Sequence, residues 1–488
     1  MLPFPTFVSL DRSSTIALYL QISNGLVNAI SSGLLTPGAR LPGTRELAKL
    51  LDVHRKTIIA AYDELYAQSW IEVEPKKGAR VAQNLPGLKA RSWNKEPKTG
   101  YEGKMAVSFY SSPHKVQFPV SPVIAPDLVI NEGLPDTRLA PLDLLFREYR
   151  SRQKSASSNK MVQGQATGSL FLRESLVPYL AETRGLHVDS SNIMITQGAQ
   201  MSIYLAANLL LKTGDKVIVA EPSYFLANAV FAQAGAQILR VPVDGQGMDI
   251  QAVEQLCAKN KIRMLYVIPH HHHPTTVTLS PERRMHLLEL AARYNFAIVE
   301  DDYDYDFHYT SAPYLPLASS KHEGRIIYIG SFSKTLSANV RIGFMIAPSG
   351  FIEEAGDRRR LIDLRSDQLL GDALAVLINN GDIGRYLKKT NKTYLERRDH
   401  CCNLLDRHLK DLVEYQKPDG GMAIWVKFKD SLLLRDVALR AAIKGLQISD
   451  GELYNTHKIS YNSLRIGFAS LTPAEMEKAI LILKEASR

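Results

Sequence analysis

Between residues 192 and 331 short apolar, β-rich runs alternate with helical stretches. The runs are "NIMIT", "KVIVA", "RMLYVIP", "FAIVED" and "RIIYIGS", and between them lie segments such as "QMSIYLAANLLL" and "ERRMHLLELAARY". Strands separated by helical crossovers pair in parallel, so this stretch predicts an α/β unit around a largely parallel sheet. Ligands of open α/β sheets collect beyond the carboxyl ends of the strands, so the residues that follow each run are where chemistry is expected. From about Gly381 the pattern changes. Helices there mix with strands such as "GGMAIWVKF" and "SLRIGFA", which predicts a smaller α+β subdomain over about residues 381–488.

The first 84 residues follow a different plan. "IALYLQISNGLVNAISSGLL" carries helical spacing at Leu18, Ile22, Leu26 and Ile30 before "TPGARLPG" breaks it. A second helix is expected from Thr44 to Leu51 and, after a tight "DVH" turn, a third from Arg55 to Gln68, with Ile58, Ala61, Tyr62 and Leu65 on its core face. "WIEVEPKKGARVA" reads as two short strands around a Pro-Lys-Lys-Gly turn. This is a mainly α winged helix-turn-helix, with His54, Arg55, Lys56 and Thr57 gathered at the end of the third helix that enters a major groove. Arg45 opens the second helix and suits a backbone phosphate, as Lys76, Lys77 and Arg80 on the hairpin do. A solvated basic face is the plainer reading of each cation singly; turn, helix and wing in order point to double-stranded DNA as a partner.

The chain has 488 residues, about three folding units' worth. Its net charge of +9 permits nucleic-acid contact without establishing it. Cys257, Cys401 and Cys402 form no disulfide framework, and the first residues have no signal-peptide pattern. No helical apolar stretch approaches the ~20 residues that span a bilayer. A cytoplasmic protein with no membrane partner is expected. Residues 85–125, rich in Pro, Gly and Lys, read as a flexible basic linker between a domain at 1–84 and one at 126–488.

Lys334 stands in "GSFSKTLSANVRIG", where the "RIIYIGS" strand ends. Alone it reads as a phosphate-binding charge, a solvated side chain or a nucleophilic amine. The other strand ends change that balance. "FAIVEDDYD" delivers Asp301 and Tyr303, "KVIVAEPSY" delivers Tyr224, and "RMLYVIPHHHHPT" delivers His273. "NIMITQGAQ" leads through Gly198, Ala199 and Gln200 into a helix whose free N–H groups suit a phosphate, and Ser331, Ser333 and Arg341 add hydroxyls and a guanidinium. An amine, a carboxylate, a phenol or imidazole, a stacking aromatic and an anion cradle are the partners that pyridoxal 5′-phosphate requires.

The stretch from Ile16 to Ala82 closely resembles the GntR-type winged helix-turn-helix. Residues from about 126 onward resemble fold-type I aminotransferases through "NEGLPD" (131–136), "TQGAQ" (196–200), "EPSY" (221–224), "EDDYD" (300–304), "GSFSKTLSANVRIGF" (330–344) and "LRIGFA" (464–469). The whole chain resembles the MocR family of bacterial regulators, which fuses the two. The resemblance implies a pyridoxal-phosphate-dependent transferase fold of type I, with Lys334 as the Schiff-base lysine and Asp301 as partner of the pyridine nitrogen. It implies Tyr303 on the ring oxygen and Tyr224 stacked on the ring. Ala199, Gln200, Ser331, Ser333 and Arg341 would hold the phosphate, and Arg465 would grip an effector carboxylate. It further implies a homodimeric regulator that senses a small amine or amino acid, or the cofactor itself, through an aldimine at Lys334. A working aminotransferase that carries a DNA-binding domain is the alternative, since Lys334 serves both chemistries.

The departures from the family pattern are specific. His54 stands where Ser is usual, and Ser is the better helix cap, which frees His54 for DNA. His273-Pro274-Thr275-Thr276 replaces Asn-Pro-Thr-Gly; imidazole can still donate to the ring oxygen, but losing glycine should alter the turn. Gln163 falls where a tyrosine is often lent to the partner's phosphate site. These changes bear on turnover more than on cofactor binding. His270 to His273 are not read as a metal site, because consecutive residues on a strand alternate faces.

Overall fold

The computed structural model describes residues 4–74, 77–85, 107–108, 126–155, 165–309, 314–456 and 459–488. The expected linker falls almost wholly outside these residues, as do Lys76 and Gln163. The chain divides into two compact units, Met1–Tyr110 and Ser111–Arg488.

In the first unit the expected helices form at Leu18–Ser31, Thr44–Leu50 and Arg55–Ala67. Two antiparallel strands follow, β1 (Ile71–Glu74) and β2 (Gly78–Val81), with Ile71 opposite Val81. Ile58, Ala61, Tyr62 and Leu65 are all buried, so the 3.6-residue period faces the core as the spacing predicts. They pack with Ile22, Leu26, Leu47 and Trp70. The Tyr62 hydroxyl, which burial would otherwise penalise, donates to the Pro42 carbonyl at 2.8 Å.

The second unit begins with a short strand, β3 (Leu128–Val129), and then builds one large sheet. Its strands are β4 (Ile193–Thr196), β5 (Lys216–Glu221), β6 (Gln237–Asp244), β7 (Gly247–Met248), β8 (Ile262–Val267), β9 (Ala297–Asp302), β10 (Ile326–Ser331) and β11 (Gly343–Ile346). The spatial order is β4-β11-β10-β9-β8-β5-β6-β7. The pairs from β10 through β9, β8 and β5 to β6 are parallel; β11 runs antiparallel between β10 and β4. Strands β4 and β10 are buried at every position, as a sheet covered on both faces requires.

The smaller subdomain has an antiparallel sheet of β12 (Val413–Tyr415), β13 (Ala423–Phe428) and β15 (Ser463–Gly467). It packs with helices Asp382–His408, Leu434–Ile443 and Pro473–Ala486. One pairing escaped the sequence reading. β3 pairs in parallel with β14 (Leu446–Gln447), and Ile130 enters the core of this subdomain. The pairing fixes the segment Asn131–Leu134 beside the ends of the large sheet, where the site lies.

Candidate functional site

A cavity of about 840 Å³ opens at the carboxyl ends of the large sheet, within the range that holds small-molecule ligands. Ala199, Gln200, Tyr224, His273, Asp301, Tyr303, Ser331, Ser333, Lys334 and Arg341 all line it, so every residue expected to hold the cofactor meets in one place. Arg465 does not line it. Its buried guanidinium donates to the carbonyls of Glu132 (2.9 Å) and Pro274 (3.1 Å) and to the Tyr303 hydroxyl (3.2 Å).

Lys334 follows β10 and turns its amine toward Asn131–Leu134, where Nζ donates to the Gly133 carbonyl at 2.7 Å. Burial, and next the nearby Arg465 charge, bring its pKa down to about 8. A sizeable share of the amine is then neutral near physiological pH, as a nucleophilic lysine requires.

Asp301 comes from β9 and is 2% exposed. Its Oδ2 accepts the Tyr266 hydroxyl at 2.6 Å, and its buried Oδ1 has no partner among the described residues. Burial raises the carboxyl to about 7, against the pull of Tyr266. Tyr266 is the penultimate residue of β8, the neighbouring strand, and the one hydroxyl among the buried apolar side chains of Ile262, Met264, Leu265 and Val267. That polar interruption is the sequence signal for it, and the sequence reading passed over it.

The anion cradle is compact. Ser331 Oγ accepts the Ser333 N–H at 3.1 Å, and Arg341 donates to Ser333 Oγ at 3.4 Å and to the Gln197 carbonyl at 3.0 Å. Helix Ala199–Leu210 begins here behind Gly198, whose φ of +79° places it in the glycine-favoured region. A Cβ on Gly198 would stand 2.7 Å from Arg341 Nη2, so glycine is what lets the guanidinium lie against the helix start. Gln200 adds a buried Oε1 without a partner among the described residues.

The histidine tract lies beyond the end of β8, so alternating strand faces are not what separates its members. Each imidazole takes its own partner: His270 meets Asp302 at 2.9 Å, His271 meets Asp304 at 3.0 Å and His272 meets Thr275 at 2.8 Å. His273 Nε2 lies 3.0 Å from the Tyr454 hydroxyl, and that hydroxyl donates to Glu132 Oε2 at 2.9 Å. With the tyrosine proton committed to the carboxylate, His273 supplies the Nε2–H and keeps a lone pair on Nδ1. The expected donor to a ring oxygen is thus an imidazole whose proton is already engaged elsewhere. Glu132 and Tyr454 were not assigned from the sequence, although Glu132 lies inside the matched "NEGLPD" motif. The turn itself does not lose the conformation glycine favours: Thr276 adopts φ +62° in its place, at the cost a β-branched residue incurs there.

This donor set fits pyridoxal phosphate. An unpartnered buried carboxylate oxygen suits a protonated pyridine nitrogen, a buried amine with a lowered pKa suits its carbonyl, and the serine–arginine–helix cradle suits its phosphate.

On the first unit, Arg45, His54, Arg55 and Lys56 are exposed and Thr57 is half-buried. His54 caps the third helix after all, with Nδ1 accepting the Lys56 N–H at 3.2 Å. That bond puts the ring proton on Nε2, which remains a donor for a base edge or phosphate. Arg55 Nε donates to Thr44 Oγ1 at 3.3 Å, tying the two helices of the motif together. On the wing, Lys77 and Arg80 share Glu74 as their partner.

The family model for class I and II aminotransferases matches residues 136–483, and that for the gntR family of bacterial regulatory proteins matches residues 18–81. The uncharacterized HTH-type transcriptional regulator YdfD of Bacillus subtilis is 30% identical over 99% of this chain and 100% of its own length. The probable rhizopine catabolism regulatory protein MocR of Rhizobium meliloti is 27% identical over 98% of this chain and 95% of its own. Among solved structures, the kynurenine aminotransferase of Pyrococcus horikoshii, crystallised with PMP, superposes with a TM-score of 0.68 at 29% identity, covering 74% of this chain and 91% of that one.

Proposed function

The chain belongs to the MocR family of regulators, a gntR-family reader joined to a class I and II aminotransferase domain, and on that premise we propose that it is a cytoplasmic, homodimeric, pyridoxal-phosphate-dependent transcriptional regulator whose affinity for DNA is set by a small amine. The observation that carries this reading is Lys334: a buried amine brought down to about 8, facing the same cavity as a buried carboxylate with an unpartnered oxygen.

When bound, pyridoxal phosphate supplies a carbonyl that exchanges one primary amine for another, with an electron-withdrawing ring behind it. The chain's own residues do the rest. Asp301 Oδ1 would hold the proton of the pyridine nitrogen, and Tyr266 fixes that carboxylate by its other oxygen. Ser331, Ser333, Arg341 and the start of helix Ala199–Leu210 would hold the phosphate, and Lys334 would supply the primary amine that faces the carbonyl. Tyr224 meets the His273 ring edge-on at 5.3 Å, closing one side of the site. Arg465, whose charge acts on Lys334, would keep the N–H bonds that its three present partners leave over for a carboxylate at the amine-bearing carbon of an effector, not for one at its far end.

On the reader, Arg55, Lys56 and the His54 Nε2–H serve base edges and phosphates in the major groove; Arg45 and Lys77 serve backbone phosphate. The exposed apolar side chains of Leu361, Ile362 and Leu364 support a second copy as the partner of the large unit, since clustered apolar surface marks contact sites. Two readers then address two half-sites.

The test begins with duplexes selected from a random library by the cofactor-loaded protein, followed by anisotropy titrations with and without primary amines. Amine-dependent affinity in the wild type, absent in Lys334→Ala, is the expected result. Sustained transfer of amino groups to a keto acid, with DNA affinity indifferent to amine, would make the protein an aminotransferase with an attached reader instead.

A further inference from the structure

The cavity is much larger than its polar end. Besides the residues expected to hold the cofactor, four segments line it, at residues 129–134, 225–226, 435–442 and 447–453, and most of the side chains they contribute are apolar. Helix Leu434–Ile443 turns one face inward, with Arg435, Ala438, Leu439 and Ala442 at the helical spacing i, i+3, i+4 and i+7. Phe225 and Leu226 oppose it from the large sheet's side. Leu439 and Leu134 are 51% and 40% exposed, so the structure leaves apolar area at this mouth that an occupant would cover.

The charges at this end are two carboxylates, Glu132 and Asp450, and one guanidinium, Arg435, on an exposed side chain. Of the three, Glu132 is the one on the segment that the Lys334 amine touches. The chain around it is pinned by Lys334 on the Gly133 carbonyl and by Arg465 on its own carbonyl, and Tyr454 holds its carboxylate in place. An acidic group carried toward these segments would meet this fixed negative charge among mostly apolar side chains. Arg465, committed to two carbonyls and a phenol off the cavity lining, is not positioned to receive it there.

The geometry points to an effector of one chemical class: a primary amine whose far end is apolar, aliphatic or aromatic, and bears no acidic group. Glu132 and the apolar face of helix Leu434–Ile443 are its specificity determinants. This inference rests on the amine-sensing reading above and adds what that reading leaves open, the chemistry of the molecule sensed.

The experiment titrates the full-length, cofactor-loaded protein with butylamine, hexylamine and 6-aminohexanoate, the last being hexylamine with its methyl end replaced by carboxylate. Two readouts are followed, the cofactor absorption band and Tm. Hexylamine is expected to bind more tightly than butylamine by about fourfold for each of the two added methylenes. It should also bind at least roughly tenfold more tightly than 6-aminohexanoate, the size of one unfavourable charge contact. Leu439→Arg, a change on a half-exposed side chain, is expected to narrow or reverse the second preference. Equal or tighter binding of 6-aminohexanoate, or no gain with chain length, overturns this inference and leaves amine sensing standing. No response to any of the three amines overturns both.

Discussion

Replacing Asp301 with asparagine should stabilise the cofactor-stripped protein in mild alkali while destroying its grip on the cofactor. Asp301 is buried and its carboxyl is raised from 3.8 to about 7, chiefly by burial. For an acid raised on folding, the stabilising contribution is complete below the unfolded value and is lost as pH climbs through the folded one. Across pH 4 to 8 the stripped wild type should therefore lose on the order of 4 kcal/mol from this group, at 1.36 kcal/mol per pH unit. The asparagine of the variant has the same shape, still accepts from Tyr266, and carries no charge to desolvate. Other groups titrate too: Lys334, lowered to about 8, acts above that pH, and His273, lowered by burial, acts below neutrality. Both are common to the two proteins, so the difference between their profiles isolates Asp301. Urea unfolding of stripped wild type and Asp301→Asn at pH 5, 6, 7 and 8 measures it. The expected outcome is a difference that grows with pH and favours the variant at pH 8, together with weakened cofactor binding. A flat difference, or a variant less stable at pH 8, would refute the claim that this carboxylate is held strained for a ligand.

Other consequences follow from single contacts. Tyr266→Phe leaves Asp301 without its hydroxyl donor and should cost about 1–3 kcal/mol at pH 8 and less at pH 5, read from the same unfolding profiles. Thr276→Gly relieves a β-branched residue at φ +62° and should raise stability by about 1 kcal/mol, seen as a higher Tm. Gly198→Ala drives a Cβ into Arg341 and should weaken cofactor binding, measured by titration, more than it lowers Tm. On the reader, His54→Ala removes the helix cap and should cost ~1 kcal/mol, while His54→Ser should not. Arg55→Ala should reduce the slope of log affinity against log salt by about 1 in DNA titrations.

The fold was legible where one physical cause dominates. A parallel sheet buried on both faces demands mainly apolar runs, and the apolar cores of β5, β8, β9 and β10 announce themselves so; the residues at and just past the ends of those runs could then be assigned to a common site. The reader's third helix was legible because Ile58, Ala61, Tyr62 and Leu65 keep one period. What stayed hidden depends on contacts distant in sequence. Nothing local to Leu128–Val129 says that it pairs with Leu446–Gln447, yet that pairing delivers Glu132 to the site. The Glu132–Tyr454–His273 chain joins residues 322 and 181 positions apart, and it is what fixes the histidine's proton. His54 was read from its modest capping propensity, whereas the turn geometry gave its Nδ1 a backbone N–H to accept.

The most direct measurement is borohydride reduction of the cofactor-saturated protein, followed by mass spectrometry of its peptides. The account expects a single pyridoxyl-modified residue, Lys334, and no modified residue in Lys334→Ala. A pyridoxyl group on another lysine, or on none, would contradict it.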